Sequence, residues 1–372
     1  MSASEREDGM AVRLQDVADY AGVSIKTVSN VVRDYPHVSA RMRERVQRAI
    51  DELGYRPNMM GRRLATGRTG LLALAFADVT LPYFAELARA VDAAAARHGY
   101  RVLLEQTDGT IEGERAVVSA SEAGLVDGMM FQPTVMGSTE LAQSRPGVPL
   151  VILGENAAPL ALDRIMIDNV AAARAVTEHV LALGRRKVAF VGHEAHGLTR
   201  TSRLRIAGYQ EALEAAGIAP DTRRLIASDS VSAVNAATAV GAALDAGLEL
   251  DGLVCRDDLA AIGALRAVQE RGLRIPDDIV VTGWDNVAVT AVTYPSLTTV
   301  APDLRGLADR AVAMLLERID GFDAAGRHEL AEFSVVARES APAYSAGYSP
   351  DRCGGTPGRD AGPERISAAV RG

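Results

Sequence analysis

The chain has 372 residues, of which 48% are apolar, 24% charged and 4% aromatic, and its net charge is −8. That length predicts about two to three folding units with packed cores, and the composition excludes a disordered chain, a disulfide-rich miniprotein and a fibrous repeat. No apolar segment approaches the ~20 residues that span a bilayer, and the N-terminus is acidic where a signal peptide would be basic and then apolar. We therefore expect a soluble, cytoplasmic protein without a membrane partner.

The charge is unevenly distributed along the chain. Residues 9–70 contain eleven Lys and Arg residues against six acidic residues, whereas the remainder of the chain is strongly acidic. A basic segment on an acidic body indicates a polyanion, such as nucleic acid, as the partner of that segment alone. A solvated helical surface is the alternative explanation of these charges.

Three short helices are predicted after a disordered N-terminus at residues 1–10. Leu14–Ala21 repeats apolar residues at helical spacing, and Ser24 can cap a second helix. A third helix is predicted over Ala40–Leu53, where a serine precedes it and a glycine ends it. These elements predict an all-α domain at residues 11–57.

The first two of these helices form a helix-turn-helix pattern. Gly22 permits a tight turn between them, and the N-terminus of the second helix can enter the major groove of DNA. Asn30 suits adenine, and Lys26 suits a guanine or a phosphate. The side chains expected to read bases are Ile25, Lys26, Thr27, Ser29 and Asn30. Those expected at phosphates are Ser24, Arg33 and Ser39.

From Leu71 onward, short apolar runs alternate with Ala-rich helical stretches, which is typical of parallel α/β sheets. About 275 residues of this pattern predict two α/β lobes. Strands are predicted at Leu71–Ala77, Arg101–Leu104, Gly128–Phe131, Pro149–Leu153, Lys187–Val191, Gly252–Cys255 and Asp278–Thr282. Helices are predicted at Tyr83–His98, Asn169–Leu183, Arg203–Ala216, Ser232–Ala246 and Leu259–Arg271. The Gly- and Pro-rich residues 345–372 predict a disordered tail.

Several motifs at fixed spacing resemble those of the LacI/GalR repressors. They are Asp16-Val-Ala-Asp-Tyr-Ala-Gly-Val-Ser24, Thr27-Val-Ser-Asn30-Val, Val38-Ser39, Arg43-Glu-Arg-Val46 and Leu53-Gly-Tyr-Arg-Pro-Asn58. The resemblance continues to about residue 340. It implies an N-terminal helix-turn-helix headpiece and a two-lobed α/β body, at residues 69–344, similar to periplasmic sugar-binding proteins. Three crossovers would join a first lobe, at about 69–167 and 299–330, to a second lobe at about 168–298 and 331–344.

The resemblance also implies a hinge helix and linker at residues 58–68. In the family this helix folds on operator DNA, where two copies from a dimer open the minor groove. Asn58, Gly61 and Leu64 occupy the contact positions, and Leu64 matches the leucine that wedges into the central base step. Gly61 stands where the family usually has alanine, and glycine costs roughly 1 kcal/mol inside a helix.

The resemblance further implies a small-molecule effector in the cleft between the lobes. The positions that match the family's pocket are Tyr83, Phe84, Thr199, Thr201, Arg205, Arg256, Trp284 and Asp285. An arginine fork suits neighbouring hydroxyls, and a carboxylate can accept two hydrogen bonds from them.

Structural alternatives stand beside these assignments. The aromatic pair at residues 83–84 can simply begin an amphipathic helix, Arg205 can form a surface ion pair, and Trp284 is as consistent with packing as with stacking on a sugar. Arg256 stands where many relatives have asparagine. It indicates either an anionic effector or an internal ion pair with Asp257 or Asp258.

The pattern as a whole predicts a dimeric transcriptional regulator, a repressor of sugar-utilisation genes, that binds a palindromic operator and responds to the effector. A regulator of a nucleoside or an anionic metabolite, and a ligand-binding protein without regulation, are the alternatives. The sequence has no Walker A, GxSxG or HExxH motif, so we expect neither an enzyme nor a cofactor. His193-Glu-Ala-His196 has the wrong spacing for a helical zinc site, and we expect no metal. Whether the effector releases DNA or promotes binding stays open.

Overall fold

The computed structural model describes residues 12–32, 35–55, 68–144, 146–156, 159–228 and 230–343. The terminal segments at residues 1–10 and 345–372, and the hinge positions Asn58, Gly61 and Leu64, lie outside these ranges. No helix within the described ranges has both the length and the apolar character that crossing a membrane requires.

The N-terminal domain consists of three helices, α1 (Leu14–Ala21), α2 (Ile25–Val32) and α3 (Ala40–Leu53). Gly22 ends α1 with a φ of 59°, a left-handed conformation that glycine adopts without strain, and the chain then turns directly into α2. The side chain of Ser39 caps α3 by accepting a hydrogen bond from the amide of Met42. The helices enclose a small core that includes Val17, Val28, Val31, Val46 and Tyr55.

The first lobe contains a sheet of six strands: β1 (Leu71–Phe76), β2 (Arg101–Gln106), β3 (Gly128–Phe131), β4 (Leu150–Leu153), β5 (Asp163–Ile167) and β11 (His328–Ala331). All are parallel, in the order β11-β5-β4-β3-β1-β2. Its helices are α4 (Pro82–Ala96), α5 (Ile111–Ala120), α6 (Ser138–Gln143) and α11 (Leu304–Ile319). Helices α4 and α11 cover one face, and α5 and α6 cover the other.

The second lobe contains the strands β6 (Val188–His193), β7 (Leu225–Ala227), β8 (Gly252–Cys255), β9 (Val280–Trp284), β10 (Thr298–Pro302) and β12 (Phe333–Val336). Their order is β12-β10-β9-β8-β6-β7, and only β12 runs antiparallel to its neighbour among these strands. Helices α7 (Asn169–Ala182) and α8 (Arg200–Ala215) cover one face. Helices α9 (Ala233–Asp245) and α10 (Asp258–Glu270) cover the other.

Short 3₁₀ turns complete the described secondary structure, at Ser121–Ala123, Thr222–Arg224 and Ala288–Ala291. The seven strands and the helices predicted from the sequence are all present, with ends shifted by up to three residues. The predicted fold class, a helix-turn-helix domain followed by a two-lobed α/β body, is confirmed.

The chain crosses between the lobes three times, at Asp168, Asp303 and Glu332. The second crossing corrects the expected lobe boundary. The first lobe was expected to resume at about residue 299, but Thr298–Pro302 pairs with both β9 and β12 and therefore belongs to the second sheet. The first lobe resumes only with α11, because the pairing partners of β10 both lie in the second lobe.

Candidate functional site

The outer face of α2 is exposed to solvent. Ser24, Ile25 and Lys26 are exposed, and the side chain of Ile25 is 45% accessible although it is apolar. Val28 and Val31, on the opposite face, are buried in the core of the headpiece. One face of α2 therefore packs on the headpiece core, and its N-terminal turn is exposed to solvent, as a recognition helix requires.

The other described residues expected to contact DNA are partly buried or hydrogen-bonded within the headpiece, except Ser39, which is exposed. The Ser24 hydroxyl accepts a hydrogen bond from the Thr27 amide at 3.1 Å and lies 2.9 Å from the Thr27 hydroxyl. Ser29 and Asn30 are half-buried, and Ser39 is exposed at the start of α3. Arg33, expected at a phosphate, lies outside the described residues.

A cavity of about 260 Å³ lies between the two lobes of the body. Its polar lining comes from residues that follow the carboxyl ends of strands in both sheets, where open α/β proteins commonly bind ligands. All eight residues expected at an effector site line it: Tyr83, Phe84, Thr199, Thr201, Arg205, Arg256, Trp284 and Asp285. The structure thus brings together side chains that are about 200 residues apart in the sequence.

Arg205 is buried at the centre of this cavity. Its Nε donates to Asn169 Oδ1 at 2.9 Å, its Nη1 donates to the backbone oxygen of Arg256, and its Cζ lies 3.8 Å from the centroid of the Trp284 ring. These contacts fix the plane of the guanidinium, and they exclude the surface ion pair considered from the sequence. Burial lowers the pKa of Arg205, and Asp285 and Glu155 oppose that effect most strongly.

Arg256 forms an internal ion-pair network. Its Nη1 donates to Glu194 Oε1 at 2.7 Å, and its Nε donates to Asp257 Oδ2 at 3.0 Å. Glu194 also accepts the Thr199 hydroxyl at 3.0 Å and the Thr199 amide at 3.2 Å. Burial would raise the pKa of Glu194, but hydrogen bonds from its own amide and from the Ser202 side chain, the Arg256 charge and the Thr199 amide together hold it below its ordinary value. The structure therefore favours the ion-pair explanation of Arg256.

The aromatic residues of the cavity differ in their surroundings. Phe84 is buried and stacks on Phe76 with ring centroids 5.1 Å apart, so it belongs largely to the core. Tyr83 is half-buried beside it, and burial raises the pKa of its hydroxyl. Trp284 is only 1% exposed and carries Arg205 over its ring. Packing is thus the main contact of Phe84 and Trp284, and Tyr83 is the ring left toward the cavity.

The acidic floor of the cavity has an unusual backbone. Asp285 and Asn286 have φ values of 109° and 55°, a left-handed conformation that non-glycine residues rarely adopt. Backbone strain of this kind is concentrated at functional sites. Asp258 supports this turn by accepting the Val287 amide at 2.9 Å and the Thr299 hydroxyl at 2.6 Å. Burial raises the pKa of Asp285 well above its ordinary value and that of Asp258 to about 7.

Within the part of the body that the structure describes, two hydrogen bonds connect the lobes across the cleft. The Thr201 hydroxyl of the second lobe donates to Glu155 of the first, and the Ala288 amide donates to Glu86 Oε1 at 2.7 Å. Sequence reasoning missed Glu155, Glu194, Asn169 and Asp258. For Glu155 and Glu194 a signal was available, because each follows the carboxyl end of a predicted strand.

The chain matches known proteins over both parts of this structure. Residues 13–58 match the bacterial regulatory proteins of the lacI family, and residues 177–341 match a periplasmic binding protein-like domain. The ribose operon repressor of Halalkalibacterium halodurans is 32% identical over 82% of this chain and 90% of its own.

Solved structures agree with these matches. A putative LacI-family regulator from Sanguibacter keddieii is 40% identical, covering 73% of this chain and 99% of its own, with a TM-score of 0.67. The lac repressor dimer bound to operator is 29% identical, covering 90% of this chain and 100% of its own, with a TM-score of 0.77. With a helix-turn-helix headpiece, a two-lobed body and this degree of identity to a repressor over most of its length, the chain belongs to the lacI family of bacterial regulatory proteins.

Proposed function

We propose that the protein is a sequence-specific transcriptional repressor that binds a palindromic operator as a homodimer, in the cytoplasm, and responds to a small molecule in the interlobe cleft. It acts by binding rather than by catalysis. The observation that carries this proposal is the joining of two parts in one chain: a helix-turn-helix with an exposed recognition face, and a ligand-sized cavity lined from both lobes.

The recognition helix supports the DNA-binding part. Its exposed residues Ile25 and Lys26 can contact a thymine methyl group and a guanine or phosphate, and Asn30 can pair with adenine. Thr27 and Ser29 complete the base-reading face, while Ser24, Arg33 and Ser39 contact phosphates. The hinge residues Asn58, Gly61 and Leu64 would enter the minor groove at the operator centre.

The names of the relatives support a sugar as the effector. One is a ribose operon repressor, and a solved structure that is 27% identical is a CelR–cellobiose complex. The cleft offers Arg205, Asp285 and the Thr199–Thr201 turn to ligand hydroxyls, with Tyr83 as a ring against which a sugar can stack. A nucleoside also carries ring hydroxyls that these groups can bind, and it is the alternative effector.

Selection of bound duplexes from a random pool tests the DNA-binding part of the proposal. We expect one pseudo-palindromic sequence to be enriched, with an affinity that falls steeply as salt is raised. Asn30→Ala should weaken binding to that sequence by roughly 10- to 100-fold while leaving random DNA unaffected. Binding without any sequence preference would contradict the proposal, and the absence of DNA binding would leave a ligand-binding protein without regulation as the better description.

A further inference from the structure

One hydrogen bond joins the two lobes outside the cavity between them. The backbone amide of Ala288, in the second lobe, donates to Oε1 of Glu86, in the first lobe, at 2.7 Å, although the two residues are 202 positions apart in the chain. Neither residue lines the cavity. A ligand can therefore leave this bond in place. The other bond across the cleft, from Thr201 to Glu155, joins two residues that both line the cavity.

The donor end of this bond is held by the second lobe. Ala288 is the first residue of a 3₁₀ turn, and the amide of Val287 before it donates to Asp258 Oδ2 at 2.9 Å. The side chain of Asn286 accepts from Arg338 Nη2 at 2.6 Å. The first amides of a helical turn have no partner within the turn. The Ala288 amide therefore needs an acceptor from elsewhere, and the backbone that sets its direction is fixed on both sides of the preceding peptide.

The acceptor end is held by the first lobe. Glu86 lies on α4, where its neighbours Leu87 and Ala88 are buried in the core of the lobe. Its carboxylate takes part in no ion pair among the described residues, so the Ala288 amide does not compete with a cation for it. A hydrogen bond to a charged group typically shifts an equilibrium constant by roughly 10- to 100-fold. A single bond of this kind is therefore enough to bias the separation of the lobes.

We propose that Glu86 is a positioning residue that keeps the two lobes close together before any effector binds. Opening of the cleft would break the bond from Ala288, so the bond favours the arrangement in which Glu155 and Thr201 face each other. An effector that contacts both lobes then meets walls that are already at the right spacing, and its apparent affinity is higher because the binding-competent state is more populated. The inference rests on the proposed function only in taking the cleft as the effector site.

Two substitutions remove this bond from opposite lobes. Glu86→Ala removes the acceptor, and Ala288→Pro removes the amide proton. Proline is compatible with this position because it is the first residue of a turn, and Val287 before it has φ −63° and ψ 148°, the extended conformation that precedes proline. Glu86→Gln keeps an oxygen that can accept from the amide. Glu112→Ala is the matched control, because Glu112 is an exposed glutamate on α5 of the same lobe that does not line the cavity.

The distance between the lobes would be measured by double electron–electron resonance on the full chain without ligand. Spin labels would be attached through Val135→Cys and Val234→Cys, at exposed residues close in sequence to cavity-lining positions of the first and second lobe. Cys353→Ser would remove one natural attachment site, and Cys255 is buried. Labelled subunits would be diluted with unlabelled protein, so that most dimers carry a single labelled pair.

We expect the wild type to show mainly a short distance between the labels. Glu86→Ala and Ala288→Pro should each raise the ratio of long to short distances roughly tenfold. The double variant should go no further than either single variant, because both changes remove the same bond. Glu86→Gln should lie between the wild type and Glu86→Ala, and Glu112→Ala should match the wild type.

Three results would overturn the inference: a wild type that is mainly at the long distance, an unchanged ratio in either single variant, or additive effects in the double variant. Melting curves would show whether each variant is folded. If one of the two variants fails to fold, the other is compared with Glu86→Gln, and an unchanged ratio in both overturns the inference in the same way.

Operator binding distinguishes this failure from failure of the proposed function. If selected DNA is bound but the distances do not change, the role of Glu86 fails and the regulator stands. If no DNA sequence is preferred while both substitutions separate the lobes as expected, the role of Glu86 stands and the proposed function fails.

Discussion

Arg205 has one edge of its guanidinium available in the cleft. Nε and Nη1 donate to protein oxygens, while Nη2 donates to no oxygen among the described residues. Because Nε and Nη1 are fixed, the direction of the remaining N–H groups is set before any ligand arrives. Such pre-organisation reduces the entropy lost when a ligand is bound.

Replacing Arg205 should therefore separate ligand binding from DNA binding. We expect Arg205→Lys to weaken effector binding by roughly 10- to 100-fold, the usual cost of a lost charged hydrogen bond, with operator affinity unchanged within about twofold. Arg205→Ala should abolish the effector response. Titration calorimetry with a sugar that the wild type binds would measure the effector affinity, and titration with operator DNA would measure the operator affinity. Retention of the full response in R205A would show that the cavity has another ligand-gripping group.

Asp258 is predicted to make stability depend on pH. Burial raises its pKa to about 7 in the folded protein, from an ordinary value of 3.8. The folded state therefore favours the protonated carboxyl of Asp258. The stability that this protonation contributes is fully present below about pH 4 and is lost as the pH rises through about 7. We expect Asp258→Asn to flatten the fall in melting temperature between pH 4.5 and 8. Parallel pH curves for both proteins would contradict this assignment.

The cleft residues differ in how far the sequence could predict them. Arg205, Asp285 and Thr199 follow from motif positions, and their meeting point follows from the rule that ligands bind at the carboxyl ends of parallel strands. Of the two ion-pair partners of Arg256, Asp257 was predicted from the sequence but Glu194 was not. Glu194 is 62 residues away in the chain, and only the pairing of β6 with β8 places the two loops side by side.

At the scale of elements, the turn between α1 and α2 depends on one backbone conformation. Gly22 has a φ of 59°, and its amide hydrogen-bonds the carbonyl of Asp19. A Cβ at this position would lie 2.7 Å from Nη2 of Arg45, which is the flexible end of a side chain and can move away. The remaining cost is therefore the left-handed backbone itself, about 1–2 kcal/mol for an L-residue.

We expect Gly22→Ala to destabilise the headpiece by about 1–2 kcal/mol without affecting the body. Hydrogen exchange on the full chain would show faster exchange of amides in residues 14–32 and 40–53, and unchanged exchange in the strands of both lobes. Operator binding should weaken as well, because a smaller fraction of the headpiece is folded. Uniform acceleration across the body would mean that the two parts unfold together.

Sequence patterns missed five of the described strands, β5, β7, β10, β11 and β12, and three of these have a weak apolar signal. β11 and β12 are four residues long and have alternating, partly exposed side chains, and β5 begins with a buried aspartate. Asp163 accepts hydrogen bonds from Arg318 and Arg327, so a fully buried charge replaces the apolar residue expected in a parallel strand. Long-range ion pairs of this kind leave no mark in a local hydrophobic pattern.

At the scale of the whole molecule, apolar surface is exposed on both lobes. Leu103 and Leu104 lie on β2, an edge strand of the first sheet, and are 38% and 50% accessible. In the second lobe Val292 and Tyr294 are 79% and 88% accessible. Exposed edge strands and exposed large apolar side chains commonly mark an interface. A symmetric dimer through both lobes would cover them with the same surfaces of a second copy.

A charged residue on this surface should separate the subunits. We expect Leu104→Glu to shift the protein from dimer to monomer at micromolar concentration, because the substitution introduces one carboxylate per subunit that must be desolvated at the interface. Sedimentation velocity would measure the change. Leu160→Glu is the matched control: Leu160 is 82% exposed but precedes β5, toward the opposite edge of the same sheet.

Loss of the dimer should also weaken operator binding, since a monomer can engage only one half-site. The loss should exceed tenfold on the full palindrome and be small on a single half-site, because each headpiece is unchanged while the effective concentration of the second is lost. Equal losses on both DNAs would indicate damage to the headpiece instead. A dimer that persists in L104E would place the interface on another surface, with Val292 and Tyr294 the next positions to change.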